Sequence, residues 1–192
     1  MLDLTRWLAW ELYAKSMLLV GRFRLSSGNY SSYYFDLRRL YSYPDTYARI
    51  IRVFADLVCR PACPDMIVGV ATAGIPLAAM TALVKGLPMG YVRIKRKTYG
   101  GEQIVEGVVA GRRVVVVDDV ATTGRSIAEA VESIRSHGGV VGEAAVIIDR
   151  EEGAAELLGS MGVRLRSLTR ASLLLDALRA RGIEVPADEE KH

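Results

Sequence analysis

The 192-residue chain predicts an α/β fold: a mostly parallel sheet flanked by helices, with a small N-terminal hood. Three observations carry this. Short apolar runs such as "MIVGV" (66–70) and "VVVV" (114–117) alternate with stretches of helical period, a pattern that buries parallel strands between helices. About half the residues are apolar and 24% are charged, enough for one core and too apolar for disorder. The first 42 or so residues break the alternation with Gly, Ser and many aromatics, and so read as a separate cap.

The elements follow in order. Residues 3–19 are expected to form an amphipathic helix, because Leu4, Trp7, Leu8, Glu11 and Leu12 recur at helical spacing. Asp3, Arg6, Glu11 and Lys15 interrupt its apolar face, so it is not a signal peptide. Strand-like pieces lie around Phe23 and 33–37. Pro44 suits the first turn of a helix through "DTYARIIRVFADLV". Strands are expected at 66–70, 89–94, 112–119, 140–149 and 163–169, and helices at 74–86, 125–139, 151–162 and 170–182. The whole is read as one domain over 1–192: helix and hood to about 42, core over 43–180, tail over 181–192.

Composition also excludes. No run approaches the ~20 apolar residues of a membrane span, so no membrane partner and a cytoplasmic location are expected. A net charge of +3 with interspersed signs does not point to nucleic acid. Cys59 and Cys63, in "CRPAC", lack further ligands for zinc. A reduced pair is the plain expectation. A disulfide stays open because Asn29 and Gln103 are the only side-chain amides and Arg far outnumbers Lys, a heat-adapted composition.

In such sheets ligands bind beyond the carboxyl ends of the strands, which directs attention to loops 71–74, 94–107, 118–125 and 149–153. The most informative stretch is "VVVVDDVATTGRS" (114–126). Thr122, Thr123, Gly124, Arg125 and Ser126 open a helix, where unpaired N–H groups, the positive dipole end and hydroxyls make an anion cradle. It is not a Walker loop, since no "GK[ST]" occurs. Asp118 and Asp119 cannot hold a phosphate but can accept hydrogen bonds from sugar hydroxyls. Cradle and acids together fit a ribose 5-phosphate.

This stretch resembles the phosphoribosyl pyrophosphate (PRPP) signature of the type I phosphoribosyltransferases. The resemblance implies that Asp118 and Asp119 contact the ribose while Val120, Ala121 and the following loop grip the 5′-phosphate. Three further stretches are similar to the orotate enzymes of that family. "FRLSSGNYSSYYFDLR" (23–38) resembles their hood, which puts Tyr34 and Phe35 near the pyrimidine, although aromatic packing would explain them too. "YVRIKRKTYGGEQIVEG" (91–107) resembles their mobile catalytic loop, with Arg93, Lys97, Tyr99, Gly100, Glu106 and Gly107 in matching places. It implies that Arg93 and Lys97 are catalytic, and that both bind PRPP with Tyr99. "VIIDREEGA" (146–154) resembles a strand-end Asp-Arg-x-Glu whose arginine binds the orotate carboxylate, which suits the guanidinium fork of Arg150. Beside Glu151 and Glu152 the same arginine could instead close an ion pair. Thr122 stands where purine enzymes usually carry an acid, and would contact orotate. Thr72 and Ala73, in "GVATAGIP", would lie near pyrophosphate.

The resemblance thus implies a single-function, microbial orotate phosphoribosyltransferase, and the composition adds that it is heat-adapted. Mg²⁺ would be held mainly through PRPP and water, with no direct protein ligand, and a homodimer would share loop 94–107. Ile94, Ala73 and Ser26 depart from the family, standing where relatives often have lysine. A purine-type phosphoribosyltransferase and a non-catalytic PRPP-sensing regulator are the alternatives.

Overall fold

The computed structural model describes residues 2–24, 30–96 and 101–186. Contacts group the chain into two compact units, one running to Tyr47 and resuming at Thr169, the other Ala48–Leu168. The first boundary falls a few residues after the sequence-based one. The last helix groups with the N-terminal elements and not with the α/β core.

The first unit begins with α1 (Leu2–Ala14), which buries Leu8, Ala9 and Leu12. The helix stops five residues before the expected end. Ser16 turns the chain at φ 54°, and the Met17 N–H folds back to the Leu12 carbonyl at 2.7 Å. Met17 and Leu18 are buried, so their apolar character serves the next segment rather than the helix. Strands β1 (Leu18–Arg24) and β2 (Tyr30–Phe35) form an antiparallel hairpin, with a bulge between Val20 and Phe23. A 3-10 turn spans Leu37–Ser42. Helix α6 (Ala171–Arg179) buries Leu174, Leu175 and Leu178. Arg181 beyond it stacks over the Trp10 ring of α1 at 4.9 Å, a cation–π contact.

Helix α2 (Pro44–Val58) starts on Pro44, where a missing N–H is harmless. Its apolar stripe of Ile50, Ile51, Phe54 and Val58 is buried. At its end Cys59 and Cys63 are joined in a disulfide, so the pair is not reduced. Arg166 donates to the Leu57 carbonyl at 3.3 Å and pairs with Glu143, fastening the end of α2 to the sheet.

The second unit holds a six-stranded sheet in the order β5-β4-β3-β6-β7-β8. The strands are β3 (Met66–Val70), β4 (Met89–Arg96), β5 (Gly101–Glu106), β6 (Arg113–Ala121), β7 (Val140–Asp149) and β8 (Arg164–Arg170). β4, β3, β6 and β7 are mutually parallel, and β5 runs antiparallel to β4 at the edge. Helices α3 (Gly74–Lys85), α4 (Arg125–Ser136) and α5 (Ala154–Ser160) follow β3, β6 and β7. Val68, Val114 and Val116 pack in one cluster with Ile127, Val131 and Ile134 of α4 and Leu158 of α5. The alternating Val115 and Val117 therefore face the other side, also buried. Each such side chain contributes about 1.5–3 kcal/mol. The expected strands and helices stand within a few residues of their places.

The segment 94–107 is a correction. It was expected to be a loop, and its arms are paired strand from Tyr91↔Glu106 to Arg96↔Gly101. Val92, Ile104 and Val105 supply β-favouring side chains, and Val92 is buried.

Parallel pairing has one consequence for function. β3, β6 and β7 end side by side, so the segments 71–73, 122–124 and 150–153 share the carboxyl edge of the sheet.

Candidate active site

The site is built on the β6–α4 junction. Asp118 and Asp119 are half-buried at the end of β6. The Asp119 N–H donates to Asp118 Oδ1 at 2.9 Å, and the Val120 N–H donates to Asp119 Oδ1 at 2.8 Å. Burial, and then the neighbouring Asp119 charge, push the Asp118 carboxyl well above the usual carboxylate range. Two adjacent acids in that setting are best satisfied by hydroxyl donors, which bring hydrogen bonds without a second anion.

Directly beyond, Gly124 adopts φ 77° and α4 begins with no side-chain cap. Its first-turn N–H groups therefore point into open space, with the dipole behind them. A small solvent-open pocket sits there, lined by Asp118 and by every residue from Val120 to Ile127. Arg125, Ser126 and Thr123 are exposed on its rim. Peptide groups, hydroxyls and one guanidinium surround a space suited to a phosphate monoester.

Gly124 has a structural reason that the sequence did not disclose. A Cβ there would fall 2.9 Å from the Ala154 Cα of α5. Two other glycines were missed altogether. A Cβ on Gly74 would sit 2.5 Å from the Val117 carbonyl oxygen and 3.4 Å from the Asp118 Cα. A Cβ on Gly69 would sit 2.3 Å from the Gly74 carbonyl oxygen. These contacts bring the start of α3, and hence Thr72 and Ala73, against the end of β6. Thr72 is exposed, follows a cis peptide bond from Ala71, and accepts from the Ile75 N–H at 3.3 Å.

On the other side of β6, the Arg150 N–H donates to the Ala121 carbonyl at 2.8 Å. Arg150 and Thr122 are thereby neighbours across two strand ends. The Arg150 side chain is only 7% exposed and pairs at 2.8 Å with Glu152, which is 34% exposed, so the ion pair foreseen as an alternative exists, with its arginine buried. Arg93 pairs with Glu106 across the hairpin at 3.0 Å, both about half exposed. Lys97, Tyr99, Gly100 and Ser26 lie outside the described residues. In the first unit Tyr34 is 37% exposed, its ring 6.1 Å from Phe23. Phe35 is buried and meets Tyr33 edge-on at 5.4 Å.

No group of three or more His, Cys, Asp or Glu that could hold a metal occurs among the described residues. The two adjacent carboxylates fit a Mg²⁺ ion held chiefly by substrate oxygens and water, not one caged by protein.

A parallel sheet carrying paired acids and an uncapped helix start at its carboxyl edge is the architecture of a phosphoribosyltransferase. The family described as phosphoribosyl transferase domain matches residues 37–160. The orotate phosphoribosyltransferase of Sulfolobus acidocaldarius is 47% identical over 167 residues, covering 87% of this chain and 84% of that one. That of Aeropyrum pernix is 46% identical over 181 residues, covering 92% and 95%. The crystal structure of the Aeropyrum pernix orotate phosphoribosyltransferase superposes with a TM-score of 0.81 at 44% identity, over 90% of this chain and 98% of that one. The chain belongs to the orotate phosphoribosyltransferase family.

Proposed function

We infer that the protein transfers the 5-phosphoribosyl group of PRPP to N1 of orotate, giving orotidine 5′-monophosphate and pyrophosphate. The observation that carries this reading is the convergence, at one sheet edge, of the Asp118–Asp119 pair, the uncapped start of α4 and the buried Arg150 guanidinium. The new bond joins orotate N1, which gives up its proton to solvent, to C1′ as the bond from C1′ to pyrophosphate oxygen breaks on the opposite face. Positive charge builds on the ribose ring as the leaving group takes the electron pair.

In this scheme Asp118 and Asp119 accept hydrogen bonds from the ribose 2′- and 3′-hydroxyls and offset the growing positive charge. The peptide N–H groups and hydroxyls of 120–126 hold the 5′-phosphate. Thr72, Ala73, Arg93, Lys97 and Tyr99 are assigned to pyrophosphate, with Arg93 and Lys97 stabilising the charge it gains. Thr122 and Arg150 take orotate, the guanidinium meeting its carboxylate as a fork. Tyr34 and Phe35 are assigned to the pyrimidine by resemblance, and Tyr34 has the exposed ring of the two. Mg²⁺, held beside Asp118 and Asp119 chiefly through substrate and water, would supply further neutralisation of the leaving group. A homodimer sharing the 94–107 hairpin, a cytoplasmic location, and no nucleic-acid or membrane partner complete the proposal. Among the described residues no helix is long and apolar enough to cross a membrane.

The test is to incubate the protein with PRPP, Mg²⁺ and orotate and follow orotate absorbance. Loss of absorbance with stoichiometric pyrophosphate release is expected. Arg150→Ala should raise the KM for orotate by roughly tenfold or more and leave that for PRPP nearly unchanged. Equal effects on both substrates would remove Arg150 from the base site.

A further inference from the structure

Arg150 presents a difficulty for a substrate-binding residue: it is already paired. Its side chain is 7% exposed, and its terminal nitrogen meets Glu152 Oε1 at 2.8 Å, while Glu152 remains 34% exposed. A guanidinium has five N–H donors in a planar fork, and the buried Nε of Arg150 is one that meets no hydrogen-bond acceptor among the described residues. The backbone around the pair is fixed as well. The Arg150 N–H is bonded to Ala121, the Glu151 N–H donates to Asp149 Oδ1 at 2.9 Å, and Glu151 sits at φ 61°. That turn delivers Glu152 back onto the arginine two residues before it.

We propose that Glu152 is a positioning residue for the reaction: it holds the Arg150 fork in the orientation that receives the substrate's carboxylate, and so sets the preference for a carboxylated pyrimidine. The proposal rests on the orotate reading above. A long arginine free to sample its rotamers would lose conformational entropy on binding substrate, and Glu152 imposes that order before the ligand arrives.

The experiment compares Glu152→Ala and Glu152→Gln with the wild type, and Arg150→Ala with the double variant, using PRPP, Mg²⁺ and orotate. Glu152→Ala is expected to raise the orotate KM about tenfold, with PRPP KM and kcat within about threefold. Glu152→Gln should recover most of that loss, since its amide oxygen accepts from the guanidinium at the same reach. Adding Glu152→Ala to Arg150→Ala should change nothing further, because Glu152 acts only through Arg150. An unchanged or lowered orotate KM in Glu152→Ala overturns the positioning role. So does a parallel rise in both KM values, or a Gln variant no better than Ala. A wild type inert toward orotate, or Arg150→Ala with normal orotate KM, overturns the base-site reading and the proposal with it. A normal wild type with an impaired Arg150→Ala separates the two failures.

Discussion

Gly124→Ala tests whether the pocket proposed for the 5′-phosphate is shaped by the packing beneath it. The residue sits at φ 77°, and the new Cβ would lie 2.9 Å from Ala154 Cα and 3.1 Å from Ala154 Cβ. The left-handed conformation costs a residue with a Cβ about 1–2 kcal/mol. Forcing an atom against a neighbouring helix backbone costs about 1–3 kcal/mol more. The sum, about 2–5 kcal/mol, lowers the melting temperature of a chain this size by about 4–20 °C. Gly153→Ala is the internal control: its φ is 100°, yet no atom lies within 4 Å of the added Cβ. It therefore carries the conformational cost without the collision. Thermal melts of both variants, with PRPP KM measured on the same samples, isolate the contact with α5. The Gly124 variant should melt lower than the Gly153 variant and bind PRPP about tenfold more weakly, because α4 can escape Ala154 only by shifting its first turn. A Gly124→Ala protein that melts no lower than Gly153→Ala and keeps its PRPP KM would refute the packing argument.

Three further outcomes are expected. Asp118→Asn should raise the melting temperature at pH 7 while lowering kcat/KM about 10- to 100-fold, the worth of a hydrogen bond to a charged group. The sign follows from linkage. The folded state raises the Asp118 pKa, so it binds the proton more tightly than the unfolded chain, and stability falls as pH rises above the unfolded value of 3.8. The stabilising effect of Asn should therefore shrink as melts are taken toward pH 4. Lys97→Ala should depress kcat strongly with PRPP KM little changed, and unchanged turnover would remove that residue from the mechanism. Replacing both Cys59 and Cys63 by Ser should cost about 2 kcal/mol, the chain-entropy value for so short a loop, with activity retained. Identical melts with and without a reductant would show that the bridge contributes nothing.

The pocket at the start of α4 was legible because the residues that build it are consecutive. Thirteen consecutive residues, 114–126, supply strand, acids, cradle and helix start, and each type carries its own physical reason. The buried strands were legible for the same cause, since Val, Ile and Met crowd segments of fixed length. β5 was not. Its only apolar residues, Ile104 and Val105, are too few to mark a strand, and it exists because antiparallel pairing to β4 extends the hairpin from Val92 outward. The end of α1 was equally hidden: neither Gly nor Pro marks the turn at Ser16, and the apolar Met17 and Leu18 prolong the helical pattern. Gly69 and Gly74 passed unnoticed because what forbids a Cβ lies on a segment more than forty residues away in the second case. The burial of Arg150 depends on how β7 meets β6, which no local pattern encodes, whereas its pairing with Glu152 lies two residues away and was legible as an alternative.

The grouping of α6 with the N-terminal elements has a consequence during synthesis. The first unit is made from both ends of the chain, around the intervening Ala48–Leu168. A ribosome adding ~5–20 residues per second needs roughly 6–24 s to cross that interval. Throughout it, the β1–β2 hairpin and α1 have been made and α6 has not. The α/β unit is whole first, so nascent chains should acquire a protease-resistant sheet before α1 and the β1–β2 hairpin are protected. Elements translated ahead of the whole sheet are among the last to be secured.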